Sequence, residues 1–80
     1  MQDNIQRIKL IWDFRGPDAF NTAKHHQIHL DEYVKNENIP NAESGFEQFS
    51  DFYSIAFLTV HKDNMIAVRD ALKPHRGEVG

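Results

Sequence analysis

An α+β fold is what this sequence predicts: an antiparallel sheet of three strands, or four, with two amphipathic helices on one of its faces. Three observations predict it. Apolar residues alternate at a period of two over residues 5–14 and run almost unbroken over 52–60. They recur at helical spacing over 17–35 and 64–73. The punctuation (Gly16-Pro17, the stretch NENIPNAESG and Pro74) falls between those segments rather than inside them.

In IQRIKLIWDF, residues 5–14, Ile8, Leu10, Trp12 and Phe14 share one face while Arg7, Lys9, Ile11, Asp13 and Arg15 share the other, as a strand requires. Gly16 breaks it. Pro17 suits the first position of a helix, where its missing N–H has no partner to lose, and Asp18 complements the helix dipole. Ala19, Phe20, Ala23, Leu30, Tyr33 and Val34 then form one stripe as far as Lys35. Residues 36–45 read as a loop closed by Ile39. The next segment, GFEQFSDFYSIAFLTVH, is too long for one strand, so it is divided at Ser50-Asp51 into Phe46–Phe49 and Phe52–Val60. Its second part is apolar on both parities, which implies two covered faces. Asp63 is the expected N-cap of a helix over Asn64–Lys73, facing inward through Met65, Ile66, Val68, Ala71 and Leu72. Pro74 ends it. Gly77–Val79 either adds an edge strand or belongs, with residues 1–4, to the tails.

The 80 residues form a single domain, small enough that only about 60% of its surface is buried on folding. Chains of this size lean on disulfides, a structural metal or self-association. The absence of cysteine removes the first, together with thiolate zinc sites. Nine basic against twelve acidic residues leave no basic stripe for DNA or RNA, so no nucleic-acid partner is expected. No apolar run approaches the roughly 20 residues of a membrane span and MQDNIQR has no signal-peptide core, so a cytoplasmic location and no membrane partner are expected. Six Phe, two Tyr and one Trp exceed what two helices over one sheet face need. Self-association through the other face is expected to bury the remainder.

The order β-α-β-β-α, with the optional last strand, resembles the ferredoxin-like plan, βαββα(β), and in particular the dimeric α/β-barrel superfamily. The resemblance covers nearly the whole chain as an element pattern. It implies a homodimer paired through the sheets and a ligand held between sheet and helices. It implies no single activity, since that superfamily includes monooxygenases and isomerases as well as other chemistries. The stretches IWDFRGPDA, HHQIHL and ALKPHRG also resemble a small bacterial protein family, and that likeness carries no function.

Chemistry-bearing residues fall in a few places. AKHHQIHLDEY holds three histidines: His26 lies near the apolar stripe as a packed imidazole, while His25 and His29, four apart, share a flank with Asp18, Thr22 and Glu32. HxxxH presents two imidazoles to one cation but is only part of a metal site, and the glutamate of H-E-x-x-H is replaced by His26. At Trp12-Asp13-Phe14-Arg15-Gly16-Pro17, Arg15 beside a helix N-terminus offers an anion seat. The alternative is that Asp13 and Arg15 pair with each other, or with Lys9 and Glu47. Trp12 is either core or the lid of a ligand, and His61 is either a loop residue or a partner of His25, His29 or Asp13. Tyr33 and Tyr53 are rim hydrogen bonders or seam aromatics, and His75-Arg76 belong to the tail.

The leading expectation is therefore a homodimeric small-ligand-binding or regulatory module without a cofactor, its ligand a small anion held by Trp12, Asp13, Arg15, His25 and His29. One rival is a cofactor-free enzyme of monooxygenase or isomerase type with His26, His29 or His61 as proton shuttle, which needs an enclosed cavity. A metal module on His25 and His29 is the second, and needs three converging ligands. The third is an interaction protein that works through its sheet alone.

Overall fold

In β1, Arg7–Arg15, the period-two pattern sends Ile8, Leu10, Trp12 and Phe14 to one side and Arg7, Lys9, Ile11, Asp13 and Arg15 to the other. The computed structural model describes residues 6–79; Ile5, the expected tail 1–4 and Gly80 lie outside the described residues. After β1 come α1 (Ala19–Glu37), β2 (Glu43–Ser50), β3 (Tyr53–His61), α2 (Lys62–Leu72) and β4 (Arg76–Val79). The sheet has the order β2-β3-β1-β4 with every neighbouring pair antiparallel, an α+β arrangement compatible with the ferredoxin-like plan. No helix of the described residues is long and apolar enough to cross a membrane.

Several element ends differ from the sequence reading, each for a local reason. Gly16 adopts φ +119°, a conformation that suits glycine, and donates its N–H to the Phe52 carbonyl at 2.8 Å. That tie holds Pro17 in the turn ahead of α1, so the helix starts at Ala19 rather than at Pro17. Asn38 ends α1 in the left-handed region, and Ile39 donates its N–H to the Val34 carbonyl at 3.1 Å while its side chain packs on the core. The hairpin turns at Asp51-Phe52, one residue later than expected, because the Ser50 hydroxyl accepts the Phe52 N–H at 3.1 Å and Ser50 pairs with Tyr53. His61, not Asp63, caps α2: its Nδ1 accepts the Asp63 N–H at 3.1 Å, and Asp63 lies in the first turn.

The main core lies between the sheet and the helices. Leu10 and Trp12 of β1 and Ala56, Leu58 and Val60 of β3 meet Ala23 and Leu30 of α1 and Val68 of α2. No Cα of α1 comes within 8 Å of one of α2, so the helices lie apart on the sheet.

The opposite face is apolar in composition, yet the single chain covers it. Ile11 and Ile55 point away from the helices and are only 1% and 3% exposed. The register sets Ile11 between Phe57 and Arg76, and Ile55 between Asp13 and Glu47. The Lys9 ammonium stands 4.3 Å from the centre of the Phe57 ring and the Arg15 guanidinium 4.1 Å from that of Tyr53. Both charged groups thus sit on ring faces as cation–π pairs, and their aliphatic stems cross the outer face of the sheet to reach them. The Phe57 ring lies over Gly45, where a Cβ would meet the ring edge, so any larger residue at 45 must displace the ring. The remaining rings divide between the core edge, where Phe20 meets Phe46, and the hairpin tip, where Phe49 and Phe52 are exposed.

Candidate functional site

β4 beside β1 brings Arg76 to Asp13, the most ordered polar cluster on the covered sheet face. The Tyr53 hydroxyl donates to Asp13 Oδ1 at 2.6 Å, and Arg76 donates from Nε to Oδ2 at 3.0 Å and from Nη2 to Oδ1 at 3.1 Å. Arg76 Nη1 also donates to Glu78 at 2.8 Å. The hydrogen bonds from Arg76 and then Tyr53 hold the Asp13 carboxyl below its ordinary range, and the same contact raises Arg76. A carboxylate so committed is a poor proton acceptor near neutrality and serves as a staple that fixes β4 to β1 and β3. Its cation is Arg76 rather than Arg15 or Lys9. Arg15 stands over the Tyr53 ring on the face away from the helices.

On the helix side, Trp12 is buried and donates its indole N–H to the Leu72 carbonyl at 3.1 Å, tying β1 to the end of α2. His26 is half-buried against two rings, 4.9 Å from the centre of Trp12 and 5.5 Å from that of Phe14, and no described residue partners its buried Nε2. His75 accepts the Asp13 backbone N–H on Nδ1 at 2.8 Å. Burial foremost, then the nearby His29 and His75, lowers the pKa of His26 below 6.5. The unfolded chain therefore binds a proton that the folded chain resists. The stability His26 contributes is complete above pH 6.5 and is lost as pH falls through its lowered folded value. Thermal melts at stepped pH are expected to show the midpoint falling more steeply below 6.5 in the wild type than in His26→Phe; parallel curves would remove this assignment.

The other histidines are dispersed. His25 and His29 stack with centroids 6.2 Å apart on an exposed flank, and His29 Nδ1 lies 3.6 Å from Glu32. His61 is engaged as a helix cap. Among the described residues, no three His, Cys, Asp or Glu side chains stand close enough together to hold a metal ion.

Three of the surface hollows formed by the described residues adjoin these groups. A shallow one at Asp18, Asn21, Thr22 and His25 has about 310 Å³. A polar one of about 590 Å³ lies at Arg7, Asn41, Ala42, Glu43 and His61, where Arg7 already bonds the Asn41 carbonyl at 2.5 Å and faces Glu43 at 3.7 Å. The third is a groove of about 420 Å³ between α2 and β4. Ile8, Leu10, Met65 and Val79 line it, Gly77 leaves its floor low, and Arg69 stands on its rim. No protein-family model, curated protein or solved structure matches this chain.

The α2–β4 groove was not visible in the sequence. Its walls come from β1 at one end of the chain and from α2 and β4 at the other, and the pairing of Leu10 with Gly77 and of Ile8 with Val79 brings them together. The one usable signal is the alternation Arg76-Gly77-Glu78-Val79, which as a strand sends its charges to one side and glycine and valine to the other.

Proposed function

We propose that this protein is a small-ligand-binding module and that its ligand is an amphipathic anion seated in the groove between α2 and β4. The observation that carries this reading is an apolar floor beside a cation without a committed partner. Ile8 and Met65 are partly exposed over the buried Leu10 where Gly77 has no side chain, while among the described residues Arg69 donates only to the exposed Asp70, from Nε and Nη2 at 3.4 Å each. A surface pair of that kind holds Arg69 weakly. Few convergent polar groups over an apolar floor is the usual make-up of small-molecule sites. The strand order supports the resemblance to dimeric α/β-barrel proteins, which hold ligands between sheet and helices.

The cofactor-free enzyme reading has less behind it. His29 is exposed and His26 is wedged between Trp12 and Phe14; His61 lines the polar hollow at Arg7 and Glu43, but its Nδ1 is engaged as the cap of α2.

Decanoate, an apolar chain ending in a carboxylate, is a suitable probe. At about 0.4 kcal/mol per non-hydrogen atom its dozen atoms give a Kd on the order of 0.3 mM. By calorimetric titration, Arg69→Gln is expected to weaken binding about tenfold, the worth of one charge-assisted hydrogen bond. Gly77→Val fills the floor and is expected to abolish it. Decanol binding as tightly as decanoate, or decanoate binding both variants like wild type, would contradict the proposal.

A further inference from the structure

We infer that the free edge of β4 is a self-association surface: two copies of this chain pair antiparallel about Gly77 and continue the sheet from one into the other. The partner is a second copy, and the surface is distinct from the covered sheet face; Gly77 and Val79 belong both to it and to the wall of the α2–β4 groove.

The backbone supplies the first half of the case. The Asp13 N–H points toward β4, since it donates to His75 Nδ1, and the Ile11 carbonyl points the same way, accepting the His75 N–H at 2.9 Å. In an antiparallel ladder the residues of β1 that turn toward β4 are then Lys9, Ile11 and Asp13, and the register pairs Ile11 with Arg76 and Lys9 with Glu78. Arg76 and Glu78 thus spend their backbone groups on β1. Gly77 and Val79 turn theirs outward, to an edge that no described strand covers.

Side chains supply the second half. Pairing centred on Gly77 sets Gly77 against its twin, with two reciprocal hydrogen bonds, and sets Arg76 opposite Glu78 of the second copy twice over. Both residues lie on the face away from the helices and are about half exposed, and Arg76 and Glu78 already bond each other within one chain at 2.8 Å. Exchanging that contact for the same one across the two-fold axis needs only a side-chain rotation. Val79, 80% exposed, gains cover on the helix side. The sheet's other edge is built against such pairing: β2 carries Glu43 and Glu47 and no base, so two copies would bring acid toward acid. Opposite charges placed symmetrically about a side-chain-free centre distinguish β4 from a merely defended edge.

Sedimentation equilibrium on the full chain from 5 to 200 µM tests this. The wild type is expected to approach twice its 9.3 kDa mass across that range. Glu78→Lys, which sets lysine against Arg76 of the second copy, is expected to weaken the dimer at least tenfold with an unchanged circular dichroism spectrum. Gly77→Pro, which removes the central outward N–H, is expected to do the same, and the exposed Glu78 site keeps the test readable should that variant not fold. A wild type that stays at one chain's mass up to 200 µM overturns the inference. So does a dimer that Glu78→Lys leaves unweakened, since the contact then lies elsewhere, the covered sheet face included.

Discussion

Trp12→Ala is expected to cost about 3–5 kcal/mol, the range for deleting a buried aromatic side chain. A domain of this length has only about 4–12 kcal/mol in total, so the variant should be partly unfolded at 37 °C. Two losses combine. The indole fills the space between β1, α1 and α2, with Leu10, Ala23 and Val68 in the same core cluster and His26 stacked at 4.9 Å. It also satisfies the Leu72 carbonyl, one of those that the end of α2 leaves without an intrahelical partner. Trp12→Phe keeps most of the volume and loses the hydrogen bond, so its cost should be markedly smaller. Urea unfolding followed by circular dichroism checks both, since Trp12 is the sole tryptophan and its fluorescence disappears with it. Equal costs would mean that the bond to Leu72, not the packing, carries the effect.

Ile11→Ala is expected to cost about 2–4 kcal/mol although Ile11 lies on the side of the sheet that no helix covers. In the single chain its side chain is already sealed by Phe57, Lys9 and the Arg76–Asp13–Tyr53 cluster. The loss should therefore be the same at 2 and at 100 µM protein. A cost under about 0.5 kcal/mol, the size usual for exposed substitutions, would show that the seal is loose. A cost that grows with concentration would show that Ile11 is buried by a second copy instead.

The contrast between these two residues shows where sequence patterns stop. Period-two alternation is enough to send Trp12 inward and Ile11 outward, and helical spacing is enough to find the stripe of Ala19, Ala23 and Leu30. What alternation does not carry is which side chains lie over a face. The apolar surplus on the outer side of β3 is met within the chain by cationic stems and by the Phe57 ring over Gly45, and both depend on strand register. Register also explains β2, which starts at Glu43 because Ser44 and Gly45 pair with Leu58 and Phe57, although Glu-Ser-Gly has no strand character of its own. Asp13 is singled out by sequence as a site residue, but its partner Arg76 is not. Arg76 reads as tail until β4 is laid beside β1. His61 is likewise a visible histidine with an unread role, since imidazole is not among the usual helix caps and only the direct passage from strand to helix puts it there.

The most direct test of ligand binding between α2 and β4 is where a bound decanoate touches the protein. Isotope-filtered nuclear Overhauser spectra on the labelled chain are expected to connect ligand methylene protons with the Met65 methyl, the Leu10 methyls and the Gly77 Hα, and to connect the protons beside the carboxylate with Arg69. Contacts confined to the exposed aromatic rings of Phe49 and Phe52, or to Arg7 and His61, with none to Met65 or Gly77, would contradict it.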